Sequence, residues 1–390
     1  MLYRKFGSLD WEVSALGFGA MRLPMLTDAS GKPDDSGKVD EEQSIAMIRY
    51  AIDHGVNYLD TAYYYHNQES ERIVGQALKD GYRERMKLAT KMPVREAKTA
   101  ADFDRLLDLQ KERLQSDKLD FYLLHGLNHV TWPIVRDLGV LKWAEKAIAE
   151  GRFDHLAFSF HDDLKAFKGI VDDYDNWTLC QVQYNYMDTE NQAGTAGVKY
   201  AAGKGLAVVV MEPLRGGKLG KKDQPAPVAA VWEGAATKRT PAEWALLWVL
   251  NQPEATLALS GMSTMEQVVE NIASVEHSGV GTLSAGDLAL IDRARQAYEG
   301  LSPIACTDCG YCMPCEQGVA IPSIFLIYNE ASMYEDARTG RFRYRGPGGL
   351  KEEQQADKCT ECMDCVEVCP QEIDVPAWLK KAHEMLGPKD

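Results

Sequence analysis

Eight short apolar runs recur along roughly the first three hundred residues, and segments of helical period separate them. The runs are SALGFGA (14–20), VNYLDTA (56–62), KLATKM (87–92), DFYLLHG (120–126), HLAFSF (155–160), LCQVQYN (179–185), GLAVVVMEP (205–213) and ATLALSG (255–261). They read as buried strands. Between them EEQSIAMIRYAIDHG (41–55), ADFDRLLDLQKERLQ (101–115) and PAEWALLWVLN (241–251) place apolar residues at helical spacing. Trp244 and Trp248, four apart on the last of these, belong to the core. Eight strands each followed by a helix predict an α/β fold, a (β/α)8 TIM barrel rather than an open doubly wound sheet. The opening YRKFGSLDWEVS predicts an N-terminal β-hairpin capping the barrel floor. Two polar stretches, 27–40 and 217–228, read as irregular loops, the first of them flexible.

Beyond residue 300 the pattern changes. Eight of the nine cysteines lie there, in two clusters: Cys306, Cys309, Cys312, Cys315 and Cys359, Cys362, Cys365, Cys369. The second reads C-x2-C-x2-C-x3-C-P, the bacterial run for a [4Fe–4S] cluster. Three thiolates spaced by two residues wrap one corner of a cubane, and in two-cluster ferredoxins the fourth ligand of each run crosses to the other cluster. That logic groups Cys306, Cys309, Cys312 with Cys369, and Cys359, Cys362, Cys365 with Cys315. The first run is one residue short before Cys315, which leaves this pairing open. Two four-cysteine zinc sites are the competing reading, although zinc sites favour two separated pairs. A disulfide framework would leave one cysteine over and lacks a signal peptide. Cys180, in an apolar run, reads as an inert core thiol. Residues 316–358 contain IPSIFLIYNEASMY, a helix opening at Pro322, so the module resembles the helical two-cluster ferredoxins. The expected division is a barrel over 1–300 and a small helical ferredoxin-like domain over 301–390.

Composition narrows the function classes. A hydrophobic fraction of 45% and charged fraction of 26% are those of an ordinary globular protein. No apolar stretch approaches a membrane span, and a net charge of −15 argues against nucleic-acid binding. Oxygen-sensitive clusters imply a reducing cytoplasm.

In such barrels the active site forms at the C-terminal ends of the strands. Asp60 ends the second run and Tyr63, Tyr64 and Tyr65 follow it; Lys91 ends the third and His125 the fourth. A tyrosine serves as general acid near neutral pH when a neighbouring ammonium lowers its pKa. A lysine at a barrel mouth needs a carboxylate beside it. Asp60 and Lys91 fit those parts, with Tyr65 as proton donor and His125 donating to a substrate carbonyl or sharing the Tyr65 proton. His129 and Trp132 are candidates for the mouth and equally for surface-loop aromatics, and His66 reads as solvated.

VNYLDTAYYYHNQESERIVGQAL, LATK and DFYLLHG together resemble the aldo–keto reductase superfamily, and CTDCGYCMPC resembles its bacterial subgroup with a C-terminal [4Fe–4S] domain. The resemblance covers residues 1 to about 300. It implies a catalytic Asp60, Tyr65, Lys91 and His125, Tyr65 being chosen because the family's tyrosine lies five residues after the aspartate. It also implies NAD(P)H laid across the mouth. Ser159 and Gln181 match residues holding the nicotinamide amide, and Met211 and Glu212 stand where an aromatic often stacks. Leu214, Arg215 and Gly216, then Gly261, Met262 and Ser263, match the phosphate-side loops. Gln267, Glu270 and Asn271 match the adenosine end. Physically, Arg215-Gly216-Gly217-Lys218 offers charge and open backbone N–H groups, and Ser263-Thr264-Met265-Glu266 reads as a capping box opening an anion-binding helix. Ser159 is followed by Phe160 and His161 where the family often has asparagine, and Gln267 stands where an arginine grips the 2′-phosphate. NADP, NAD, weak binding and no nucleotide therefore all remain open.

A nicotinamide gives two electrons as hydride, whereas a [4Fe–4S] cluster takes one at a time, and no flavin signature is present. Three readings follow. The protein reduces an aldehyde or ketone, or oxidises the alcohol, with NAD(P)H while two [4Fe–4S] clusters are structural or sense redox state. Alternatively, a ferredoxin-like or flavoprotein partner feeds the clusters and the tetrad supplies protons. Or the chain is an electron-transfer protein whose barrel is a docking platform.

Overall fold

Strands β3 (Leu16–Gly19), β4 (Tyr58–Asp60), β5 (Lys87–Met92), β6 (Leu119–Leu127), β7 (Phe153–Phe160), β8 (Leu179–Gln183), β9 (Ala207–Met211) and β10 (Leu257–Ser260) close into one parallel barrel, β10 pairing with β3. They follow a hairpin of β1 (Tyr3–Lys5) and β2 (Glu12–Ser14). This computed structural model describes residues 1–28 and 36–388. Of the loop expected over 27–40, residues 29–35 lie outside the described residues; its flanks are held by a Met25–Val39 bridge.

Side-chain alternation explains the closure. Residues of one parity, such as Leu88, Tyr122, Phe158, Val182 and Val208, pack outward beneath the helices. Those of the other parity, including Ala89, Phe121, Ala157, Leu179, Val209 and Leu257, fill the barrel interior. The floor is plugged by Phe6 and Val13 of the hairpin, with the Phe6 ring tilted 5.0 Å from Phe121 and stacked 6.0 Å from Tyr58. Gly7 makes the plug fit: its φ is +54°, and a Cβ there would stand 2.5 Å from the Ala207 backbone nitrogen.

All three expected helices form, Ala101–Leu114 without a side-chain cap and the other two with one. Asp40 caps Glu41–Asp53 by accepting from Gln43 N, and Thr240 caps Pro241–Leu250 with proline in its first turn. Trp244 and Cys180 are fully buried, and burial pushes the Cys180 thiol up to about 12, consistent with an inert core thiol.

Two compact units divide the chain: Met1–Lys221 with Arg239–Leu288, and Lys222–Lys238 with residues 289 onward. The second is helical. Ile321–Met333, Ala337–Arg345 and Val375–Leu386 pack Ile324, Phe325, Tyr344, Leu379 and Leu386 into a small core, against which six of the cluster cysteines lie. Among the described residues no helix is long and apolar enough to cross a membrane.

Candidate active site and cysteine clusters

A cavity of about 290 Å³ opens at the C-terminal ends of the barrel strands. Asp60, Tyr65, Lys91 and His125 all line it. Asp60 and Lys91 project from neighbouring strands, β4 and β5, and both are 1% exposed. Lys91 Nζ donates to Asp60 Oδ1 at 2.5 Å, to the Thr61 carbonyl at 2.9 Å and to the Tyr65 hydroxyl at 3.1 Å. All three ammonium protons are thus placed, which is how a buried cation is tolerated.

Burial works against the charged forms of this group, and charge pairing works for them. Burial disfavours the Lys91 ammonium, but Asp60 and Tyr65 together raise its pKa above the ordinary lysine value. Burial pushes the Asp60 carboxyl up against the pull of Lys91 and of a hydrogen bond from Gln181. The Tyr65 hydroxyl is also pushed up, because burial outweighs the neighbouring ammonium. The ammonium acting alone would lower the tyrosine, as expected from the sequence. In the closed-in site desolvation wins, so Tyr65 rests with its proton on.

His125 owes its position to a bulge. The β6–β7 register slips by one residue between Leu124 and Leu127. Gly126 there has φ +65°, and its N–H donates to Ser159 Oγ at 2.8 Å. Bulges re-aim side chains beside active sites, and this one turns His125 edge-on to Tyr65 at 6.0 Å between ring centroids. Burial, then Lys91, holds the imidazole neutral, with its pKa down to about 3. Its Nδ1 is buried without a hydrogen-bond partner among the described residues. A neutral imidazole can donate to a carbonyl oxygen; it does not share a proton with Tyr65 near pH 7.

Of the nucleotide residues anticipated, Ser159, Gln181, Met211, Glu212, Leu214, Gly216 and Gly261 line the same cavity. Gln181 Oε1 is buried and lacks a hydrogen-bond partner among the described residues, which fits the amide protons of a carboxamide. Ser159 is engaged by Gly126, as above. Glu212 ends β9 at φ +53°, its carboxyl pushed up by burial and Asp188 despite Arg22, Arg215 and Lys218.

The remaining anticipated residues stand outside the cavity wall. Arg215 Nε pairs with Asp188 at 3.1 Å. Met262 is buried in the core. The expected capping box is shifted by one residue: Thr264 is the cap, accepting from Gln267 N, and Gln267 Oε1 accepts from Ser263 N at 2.8 Å. Ser263 Oγ donates to the Arg22 carbonyl at 2.8 Å. Asn271 turns inward to Ser260 Oγ at 3.1 Å, and Glu270 uses its carbonyl to accept from Ser274. Trp132 is buried and bonds Asp173, and His129 is exposed beside Asp162, so neither lines the cavity.

Met21, Arg22 and Ser260 line the wall without having been singled out; His161, noted in the sequence only as a departure, does so too. Arg22 could have been found by the same strand-end rule, as the cation two residues after the first strand run. His161 is held neutral chiefly by burial, against a hydrogen bond to Gln192.

In the second unit the thiols line two cavities. One is walled by Cys306, Cys309, Cys312 and Cys369. The other is walled by Cys315, Cys359, Cys362 and Cys365, and Cys312 lines both. Among the described residues no three metal-binding side chains converge as a single-ion site requires. Burial and neighbouring thiols push Cys306 and Cys312 up, and Cys365 up to about 11, so ligation releases protons.

Residues 15–295 match the Aldo/keto reductase family, and residues 305–373 match the 4Fe-4S dicluster domain. The chain belongs to the aldo/keto reductase family and is an oxidoreductase of that type, with a C-terminal iron–sulfur domain. It is 27% identical over 308 residues to a probable aldo-keto reductase 1 of Glycine max, covering 70% of this chain and 83% of that one. It is 26% identical over 290 residues to an L-galactose dehydrogenase of Arabidopsis thaliana, covering 70% and 87%. Among solved structures, an aldo-keto reductase from Klebsiella pneumoniae in complex with NADPH superposes with a TM-score of 0.58 at 27% identity, over 75% of this chain and 95% of that one. The holo form of an aldo-keto reductase from Bacillus halodurans gives 0.60 at 25% identity, over 75% and 96%.

Proposed function

We propose that the barrel reduces a small aldehyde or ketone, or oxidises the corresponding alcohol, with NAD(P)H at the Asp60–Tyr65–Lys91–His125 site. The observation that carries this is Lys91 bonding Asp60 and Tyr65 at once, on the wall of a cavity that also presents the unpartnered Gln181 acceptor. When bound, reduced nicotinamide supplies a hydride. The chain's part is to hold the carbonyl and to manage its proton.

His125, neutral, donates to the carbonyl oxygen and aligns it with Tyr65. Tyr65 gives its proton to that oxygen as negative charge develops, a far stronger base than a phenolate. Lys91 stabilises the phenolate left behind, and Asp60 keeps Lys91 charged and pointed. In the oxidative direction the same phenolate takes the proton back.

The second unit, on this reading, holds two [4Fe–4S] clusters, one by Cys306, Cys309, Cys312 and Cys369, the other by Cys315, Cys359, Cys362 and Cys365, as the two cavities support. Such clusters transfer single electrons. They are not needed for hydride transfer and serve structure or redox sensing. Cys309 and Cys362 are exposed, which calls for a reducing compartment such as the cytoplasm.

The test is an anaerobic titration with NADH, then NADPH, following nicotinamide and cluster absorbance together, with a panel of small carbonyls added last. Consumption of nicotinamide only when a carbonyl is present, with clusters staying oxidised, supports the proposal. Clusters bleached by a one-electron donor and restored by substrate, without nucleotide, would replace it with the ferredoxin-fed reductase. Tyr65→Phe should lower turnover about 10²–10⁴-fold while nucleotide still binds.

A further inference from the structure

His66 is half-buried rather than fully solvated, and its Nε2 accepts the Leu23 backbone N–H at 3.0 Å. The imidazole therefore holds the chain directly after Arg22. Arg22 is held from the other direction as well, its carbonyl accepting from Ser263 Oγ at 2.8 Å.

The clasped residue points where it matters. A Cβ on Gly216 would lie 3.1 Å from Arg22 Nη2, and a Cβ on Gly261 would lie 3.3 Å from the Arg22 stem. Arg22 thus lies between the two loops that border the phosphate side of the cavity and lines the cavity itself. Arg215 pairs with Asp188 and Gln267 accepts from Ser263 N, and neither lines the cavity.

The segment carrying His66 is strained. His66, Asn67 and Gln68 all have left-handed backbone, φ 51°, 52° and 74°. Three successive non-glycine residues in that region are disfavoured and persist only where surrounding contacts impose them. Tyr65 immediately precedes them. The strain thus begins at the residue that holds the Arg22 turn, directly after the proton donor.

We infer that His66 is a positioning residue: it locks the Met21–Leu23 turn so that Arg22 meets the phosphates of a bound nicotinamide nucleotide, and it ties that grip to the turn carrying Tyr65. This rests on the reductase reading above. An imidazole suits the task because a neutral ring offers an acceptor nitrogen at the end of a short, stiff side chain.

The experiment is a double-mutant cycle. NADPH and NADH dissociation constants, from quenching of protein fluorescence, and nucleotide KM and kcat are measured for wild type, His66→Gly, Arg22→Ala and the double variant. His66→Gly relieves the left-handed backbone while deleting the clasp, so the fold is retained. It should weaken nucleotide binding about tenfold, the size of a lost hydrogen bond to a charged group. The Leu23 amide should exchange hydrogen faster. The double variant should bind no more weakly than Arg22→Ala alone, because His66 acts through Arg22, and His66→Gln should recover part of the loss by supplying an acceptor. Unchanged nucleotide affinity in His66→Gly, or losses that multiply in the double variant, would overturn the inference and leave the reductase reading intact. Failure of wild type to bind either nucleotide would overturn both.

Discussion

The Ser159 hydroxyl accepts the Gly126 N–H at 2.8 Å, and that bond satisfies the backbone donor freed by the bulge that aims His125. A residue matched by resemblance to the nicotinamide amide thus also braces the neighbouring catalytic candidate. Ser159→Ala would leave a partly buried N–H without its partner, at about 1–3 kcal/mol. The expected outcome is a urea midpoint lowered accordingly and a kcat reduced more than the carbonyl KM is raised, because His125 loses its aim. Equal loss of kcat and kcat/KM with unchanged nucleotide affinity in titrations would assign the effect to His125 rather than to the nicotinamide.

Lys91 and Asp60 form a pair with 1% exposure on each side chain, so neither charge has water to fall back on. Lys91→Met strands the carboxylate. Breaking one half of such a pair costs about 3–5 kcal/mol. Removing both charges with Asp60→Asn and Lys91→Met should recover most of that stability while turnover stays lost. Denaturant melts of the two variants make the comparison, and a double variant no more stable than Lys91→Met would show that the pair's geometry, not its charge balance, holds this end of the barrel.

His125 has its pKa lowered from 6.5 to about 3. Between those values the unfolded chain binds a proton at this position and the folded chain does not. Protons therefore favour unfolding, and the stability tied to neutral His125 is complete above pH 6.5 and declines as pH falls toward 3. His66 and His161, also lowered by burial, act with the same sign. The melting temperature should drop between pH 7.5 and pH 5 by less in His125→Gln than in wild type. The reductive rate should show no ionisation of His125 across the neutral range. A break near pH 6.5 that vanishes in His125→Gln would mean the imidazole is far more solvated than this geometry allows.

The barrel was legible because its strands are buried on both sides, so each appears as an unbroken apolar run, and the hairpin because Phe6 and Trp11 flank a turn. Asp60, Lys91 and His125 were legible because the strand-end rule needs only local order. What escaped depends on distant approach. Nothing near Arg22 says that its stem will lie on Gly261, well over two hundred residues away. Arg215 looked like a phosphate ligand until Asp188, a residue with no local mark, took its guanidinium. Trp132 could be read as a mouth aromatic or a surface-loop one, but its indole N–H finds Asp173 at 2.7 Å and the ring goes into the core. The capping box moved from Ser263 to Thr264 because the box is defined by where the helix starts, and Met265–Glu276 starts one residue later than the motif implied. His66 was taken as solvated because no local pattern reveals that a ring will reach back to the Met21–Leu23 turn.

The cysteine walls make a last prediction that does not depend on the barrel. Cys369 lies in the second run but walls a cavity with Cys306, Cys309 and Cys312, while Cys315 of the first run walls the other with Cys359, Cys362 and Cys365. If ligation follows walls rather than runs, Cys369→Ser and Cys309→Ser damage one cluster, and Cys315→Ser and Cys362→Ser damage the other. Anaerobically reconstituted wild type should hold about eight irons, as two [4Fe–4S] clusters require. Each single variant should fall toward about four, and the electron paramagnetic resonance spectra of the reduced variants should sort into the pairs 309/369 and 315/362. Spectra sorting as 309/315 and 362/369 would mean that each run keeps its own cluster. Because Ile321 opens the helix Ile321–Met333 against both cavities, losing either cluster should also loosen that helix, visible as faster amide exchange over its first turn. Exchange that stays at the wild-type rate in iron-depleted protein would show that Ile324, Phe325 and Leu379 hold this unit together without metal.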